Sequence, residues 1–337
     1  MESILTLSKR LRSKIDIYII AIILLSTSQA FMHVNFLVDN ENIKIERYNE
    51  QMAYANGMIT GEPHMQSRLL FPNILKVVGQ IMPQQIMTER YHAGLSLAFA
   101  EWIAIFFSLT GLFLLSNEIL RSRLKSFLVV IAYSIYLPFI FQLTFRFGEA
   151  FIFGFFCFLA YAVTARKQML FILLLLLCSF QRTDVAFTSV FFKIVYEFFE
   201  HGKKYGSVFI NLTLFIIPWG VIYGITNLYN LKTANVFFER TPELIWTNLR
   251  FLPVLFFCYL PVFVLSAIRL TKFDRKVHYL LLGLAPYLSV MYVIGGFTET
   301  RLLHPLIVTL VIGIISSIKD TEIHDFIDSD LPDGSQG

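Results

Sequence analysis

The sequence predicts an all-α polytopic membrane protein with about ten transmembrane helices, two of them short and central. Three observations carry that prediction. Hydrophobic residues make up 56% of the 337, and charged residues only 15%, against about 25% in a typical soluble domain. Apolar runs approaching the ~20 residues needed to cross a bilayer recur from end to end. Basic residues gather in alternate gaps between those runs. Lipid offers backbone groups no partners, so such runs are helices. The alternating ~10-residue pattern of an outer-membrane barrel is absent.

The runs fall at roughly 17–38, 92–115, 126–143, 150–165, 168–180, 185–199, 207–227, 251–268, 278–296 and 302–318. The first follows the basic stretch KRLRSK, as in a signal peptide, and Ser28-Gln29-Ala30 is a passable cleavage site. The apolar run continues through Phe31 to Val38, too long for a signal peptide's apolar region, so it is read as an uncleaved span. Lys9, Arg10, Arg12 and Lys14 precede this span, and Arg121, Arg123 and Lys125 follow the second. Arg166 and Lys167 follow the fourth, Lys203 and Lys204 the sixth, Arg269, Lys272, Arg275 and Lys276 the eighth, and Lys319 the tenth. All fall on one side, which the positive-inside rule makes cytoplasmic, together with both termini. Residues 1–318 then form a single transmembrane domain with outer loops at 39–91 and 228–250. Within the first loop, NILKVVGQIM reads as a helix lying in the interface plane. Residues 319–337 form an acidic tail ending in Gly and Pro, read as a disordered cytoplasmic segment.

Several function classes are excluded or left without support. Cys157, Cys178 and Cys258 all sit inside apolar runs, which argues against a disulfide framework or a thiolate metal site. No P-loop, GxGxxG or HExxH occurs. The basic residues follow topology rather than forming a patch, so no nucleic-acid partner is expected. The cofactor is unknown, and a divalent metal is possible but not indicated.

The outward gaps carry the informative polar residues. The first loop holds Asp39, Glu41, Glu46, Glu50, Glu62 and Arg68. TFRFGEAF brings Arg146 and Glu149, FQRTDVAF brings Arg182 and Asp184, and FTETRLLHP brings Glu299, Arg301 and His304. Each turn pairs a basic with an acidic residue within three positions. The runs flanking QRTD fall short of the ~20 residues needed to span, so that turn should dip below the outer surface. Ions at such depth need buried partners or a cavity. Arg182 therefore needs an anion, either a carboxylate or a ligand phosphate, and arginine suits bidentate phosphate recognition. The plainer role for each pair is to tie helix ends together. R-L-L-x-P occurs twice, at Arg68–Pro72 and Arg301–Pro305. Proline is welcome in a first helical turn, so each motif marks a helix entry with its arginine just outside. Glu101 lies about two turns into the second run; it either is functional or faces an internal arginine.

Taken in order, the motifs resemble those of the GT-C glycosyltransferase superfamily. The first outer loop runs from an acid (Asp39 or Glu46) through Tyr48, Ala53 or Ala55 and Gly61 to SRLLFP. Arg146-Phe147-Gly148-Glu149 resembles the family's R-Y-D, with its acid displaced by one position. Gln181-Arg182-Thr183-Asp184-Val185-Ala186 resembles its N-R-E-T-A turn, and Glu299-Thr300-Arg301 its E-x-R. The paired D-x-D or E-x-D and the large soluble C-terminal domain of some members are missing. The resemblance implies a GT-C-like fold in the bacterial inner membrane. It also implies inverting transfer of a sugar from a polyprenyl-phosphate donor to a glycan or lipid acceptor on the outer side. Asp39 or Glu46 would be the catalytic base. Arg68, Arg182 and Arg301 would hold the lipid phosphate, and Arg146 with Glu149 would shape the pocket, near Asp184, Glu299 and His304. Three other functions fit the composition: a transporter or flippase of lipid-linked anions, a polysaccharide polymerase, and a non-enzymatic scaffold. Charges clustered toward one side, rather than at the midplane, argue against the transporter.

Overall fold

The computed structural model describes residues 17–36, 41–57, 69–82, 88–144, 148–200, 205–228, 246, 249–250, 259–294 and 303–318. In its described part, each of the ten apolar runs is helix, and no strand occurs among the described residues. The helices are α1 Ile17–Phe36, α2 Glu41–Ala55, α3 Leu70–Ile81, α4 Glu89–Leu120, α5 Arg123–Thr144, α6 Glu149–Thr164, α7 Gln168–Ser179 and α8 Thr183–Glu200. They continue as α9 Tyr205–Leu212, α10 Ile216–Leu228, α11 Leu260–Arg269, α12 Arg275–Ile294 and α13 His304–Ser316. A 3₁₀ turn, Thr213–Phe215, joins α9 to α10. Pro218 explains it: its nitrogen has no hydrogen to give the Leu214 carbonyl, so the α ladder fails there.

Three stretches among the described residues are long and apolar enough to cross a membrane: Ile17–Val34, Tyr91–Leu120 and Tyr205–Ile225. Four apolar helices are shorter, α3, α6, α7 and α13. With 12 residues, α7 reaches only ~18 Å, against the ~30 Å of a hydrocarbon core. Its partner α8 extends to 18 residues, so the shortness expected on both sides of QRTD holds for one side. The first outer segment is more ordered than a loop. It holds α2, which the sequence reading had not singled out, and α3, which covers the anticipated NILKVVGQIM helix. The second outer loop lies outside the described residues except for 228, 246, 249 and 250, and the tail lies outside them altogether.

At the centre stands α4, 32 residues long and thus ~48 Å. It touches α1, α2, α3, α5, α6 and α13. It stops at Arg121, whose left-handed φ of 52° turns the chain while its N–H returns to the Asn117 carbonyl. The α4–α6 seam is closed by two reciprocal pairs. Phe107 of α4 covers Gly154 of α6, and Phe158 of α6 covers Gly111 of α4. A Cβ on Gly154 would stand 2.5 Å from Phe107, and one on Gly111 2.7 Å from Phe158. The two rings stack at 4.5 Å. Buried hydroxyls are absorbed locally: Ser26, Ser134, Ser179 and Thr309 each donate to the carbonyl four residues back.

The basic segments meet at one end of the bundle. Lys276 bonds Glu118 at 2.8 Å, Arg275 bonds Glu200 at 2.9 Å, and Arg166 stands 4.0 Å from the same carboxylate. Lys125 donates to the Ile318 carbonyl at 2.7 Å, and Arg269 reaches Ser317 Oγ at 3.3 Å. Tyr18, at the start of α1, packs on Phe113 and Phe127. The start of α1 and the end of α13 therefore share the end where Glu118 closes α4.

The Gly154 contact has a measurable consequence. Phe107 also packs on Phe151, Phe155 and Phe158, which restrict its movement away from an added Cβ. Gly154→Ala is expected to cost about 1–3 kcal/mol by overpacking, read as a lowered midpoint in thermal unfolding. Gly220→Ala, where an added Cβ meets nothing within 4 Å, should be neutral or stabilising by up to about 1 kcal/mol.

Candidate functional site

Near the middle of α4, away from the basic end, the break in the chain before α6 creates a polar cluster. Gly148 precedes α6 with a left-handed φ of 77°, and a Cβ there would fall 2.4 Å from Phe71. Only glycine takes this conformation and this contact cheaply. Its peptide groups are buried and must find partners. The Gly148 N–H donates to Glu101 Oε2 at 2.8 Å, and the Gly148 carbonyl accepts from Gln181 Nε2 at 3.4 Å. The other end of the same amide, Gln181 Oε1, accepts the Phe71 N–H at 3.2 Å. Nearby, the Leu69 N–H donates to the Phe180 carbonyl at 2.9 Å. Three of the sequence motifs are thereby tied together: RLLFP through Leu69 and Phe71, FRFGE through Gly148, and FQRTD through Phe180 and Gln181.

Charged groups border this knot. Arg182 forms a bidentate fork with Asp184, Nε to Oδ1 and Nη2 to Oδ2, each at 2.6 Å. The side chains are 14% and 23% exposed. Arg182 also lies in the electrostatic field of Glu149, the buried first residue of α6. Glu101 is fully buried on α4, with Oε1 3.3 Å from Nδ1 of the equally enclosed His33 on α1. Among the described residues, Glu101 thus faces a histidine and a backbone amide. Ser108 donates to the Ala150 carbonyl and adds a second tie between α4 and the opening of α6.

The sequence-derived residues divide into three groups. Glu149, Arg182 and Asp184 are brought together. His304 and Glu46 lie elsewhere. His304 is buried against Tyr133, with Nδ1 2.8 Å from the phenol oxygen and its ring edge-on to Phe153. Phe153 is one turn along α6 from Glu149, so His304 belongs to a deeper layer. Glu46 is exposed on α2. Asp39, Arg68, Arg146, Glu299 and Arg301 lie outside the described residues. On the two helices of the first outer segment, Tyr48 packs over Gly79 and edge-on to His92. Nε2–H of His92 donates to the Gly79 carbonyl at 2.9 Å. Partial burial pushes the Tyr48 phenol above its ordinary range.

His33 and the bridging role of Gln181 were missed in the sequence. A signal existed for the first: Ser26, Gln29 and His33 recur at helical spacing within an apolar run and are all buried. No such signal marks Gln181, whose partners are backbone groups more than thirty residues away in the chain. Among the described residues, no group of three His, Cys, Asp or Glu side chains is placed to hold a metal ion. Comparison of the chain with protein-family models, curated proteins and solved structures finds no match.

The bridging amide makes a sharp test. Gln181→Leu strands the Phe71 N–H, while the Gly148 carbonyl keeps the Phe151 N–H at 3.2 Å, and should cost about 1–3 kcal/mol for the one buried group left unpaired. Glu101→Gln keeps an oxygen for the Gly148 N–H and should cost clearly less than Glu101→Leu. Denaturant unfolding of the purified variants checks both. Equal losses for Glu101→Gln and Glu101→Leu would assign the stabilisation to the charge rather than to the hydrogen bond.

Proposed function

We propose that the chain is a polytopic membrane glycosyltransferase of GT-C type. In this reading it has about ten spans and lies in a bacterial inner membrane with both termini cytoplasmic. It moves a sugar from a polyprenyl-phosphate donor to a glycan or lipid acceptor on the outer side, with inversion at the anomeric carbon. The observation that carries the reading is the convergence of RLLFP, FRFGE and FQRTD around Gly148 and Gln181. Three turns that the sequence orders as in GT-C proteins meet at the end of the bundle opposite the basic network.

The chemistry asks for a cation where negative charge develops on the departing phosphate, and for a carboxylate to take the acceptor's proton. Arg182 meets the first need. Its fork with Asp184 uses Nε and Nη2 and orients the guanidinium, leaving Nη1 over. Arg68 is one peptide bond from Leu69, whose N–H is bonded to the same turn as Arg182. Arg68 and Arg301 complete the phosphate grip in this proposal, and Arg146 borders it. The greasy surroundings suit a lipid-linked donor, whose chain stays in the bilayer while its headgroup enters the polar cluster.

The test is binding of polyprenyl phosphate to purified protein in nanodiscs, with thermal unfolding followed in parallel. The wild type should bind. Arg182→Ala and Arg301→Ala should lose binding, and Arg182→Lys, which keeps the charge without the fork, should weaken it at least about tenfold, or 1.4 kcal/mol. Equal binding by well-folded variants, or none by the wild type, returns the arginines to tying helix ends and removes the transferase reading.

A further inference from the structure

The lipid-phosphate site just proposed needs a carboxylate, and the chain offers several on that side. We infer that Glu149 is the carboxylate that stands beside the phosphate held by Arg182. The inference rests on the proposed phosphate site and deepens it.

Asp184 spends both oxygens on the Arg182 fork. Glu101 is fully buried between His33 and the Gly148 N–H. Glu46 is exposed on α2, a helix that packs on α3 and α4. Glu149 follows Gly148, whose N–H and carbonyl are each bonded to a buried side chain. One of those side chains is Gln181, the immediate neighbour of Arg182. A single amide therefore sets the Glu149 backbone and the Arg182 backbone relative to each other. The two side chains interact electrostatically, and Glu149 is only 7% exposed. A cation and a carboxylate positioned by the same amide form a preorganised pair.

The pairing assigns the transfer step. The acceptor oxygen attacks the anomeric carbon and forms the new C–O bond. The bond from that carbon to the phosphate oxygen breaks, its electron pair leaving with the polyprenyl phosphate beside Arg182. The acceptor's proton passes to the Glu149 carboxylate, which returns it to water before the next cycle.

A carboxylate beside a bound phosphate repels it, and the low local dielectric makes that repulsion count. Polyprenyl phosphate binding therefore gives a reading that a purely structural role would not. Glu149→Gln should bind the wild-type ligand about tenfold more tightly, Glu149→Asp should stay near wild type, and Glu46→Gln should change nothing. A structural role predicts the reverse order, with the isosteric Gln harmless and the shorter Asp disruptive. Thermal unfolding of each variant separates misfolding from changed affinity. Unchanged or weaker binding by folded Glu149→Gln overturns the assignment, and tighter binding by Glu46→Gln instead moves the carboxylate to the first outer segment. Absence of binding by the wild type removes the phosphate site itself, and this assignment with it.

Discussion

A buried backbone N–H at the start of a helix has no partner within that helix, and in this protein the N–H of Gly148, with a carbonyl that Gln181 shares with Phe151, imposes that requirement on everything around it. Gly148 sits where α6 begins, against the ring of Phe71, with no room for water to replace protein partners. Leaving either of its polar groups unpaired would cost about 1–3 kcal/mol. Glu101 reaches it from α4 and Gln181 from the turn between α7 and α8. The consequence is topological. The start of α3, the middle of α4, the start of α6 and the α7–α8 turn cannot shift independently. The charged residues neighbouring this knot, Glu149, Arg182 and Asp184, inherit its rigidity.

The opposite end of the bundle is organised differently. There the charges run from the exposed Arg275 to the buried Lys125, and they pair across helix ends: Arg275 with Glu200, Lys276 with Glu118, Lys125 with the Ile318 carbonyl. Pairs of that kind stabilise little, since water and salt screen them. Their value lies in topology, because they gather the basic segments on one face. The inner knot uses few charges, deeply placed and bonded to backbone. One end is built for orientation and the other for precision, and the long helix α4 joins them.

The composition and the apolar runs made the helices legible, because burying or solvating such runs leaves no alternative to helix. The prolines of the two R-L-L-x-P motifs marked helix entries correctly: α3 opens at Leu70 and α13 at His304. What the sequence concealed were long-range pairings. Nothing local says that Glu101 faces His33, or that Gln181 bonds two backbone groups in other segments. The helix α2 was hidden for another reason. Its polar residues resemble a loop, and it packs on α3 and α4, with Tyr48 in the space left by the missing side chain of Gly79. His304 was placed correctly at a helix start, but its partner, Tyr133, comes from a span that carried no polar signal of its own.

The repeated motif acquires a structural meaning from these contacts. In the two copies, Phe71 and His304 occupy the same place, directly before the proline, and both are buried. Phe71 packs on Gly148 and, 6.4 Å between ring centres, on Phe151. His304 packs on Phe153 at 6.2 Å. Phe151 and Phe153 are two residues apart on α6, so they project ~200° from each other around the helix. The two motifs therefore open helices on opposite sides of the first turns of α6 and hold that segment between them. Substituting a histidine for the phenylalanine on one side lets the clamp reach Tyr133, while the apolar side leaves the Gly148 peptide to Glu101 and Gln181. The same five-residue pattern thus fixes the position of α6 twice, and the residue that most depends on that position is Glu149, at its very start.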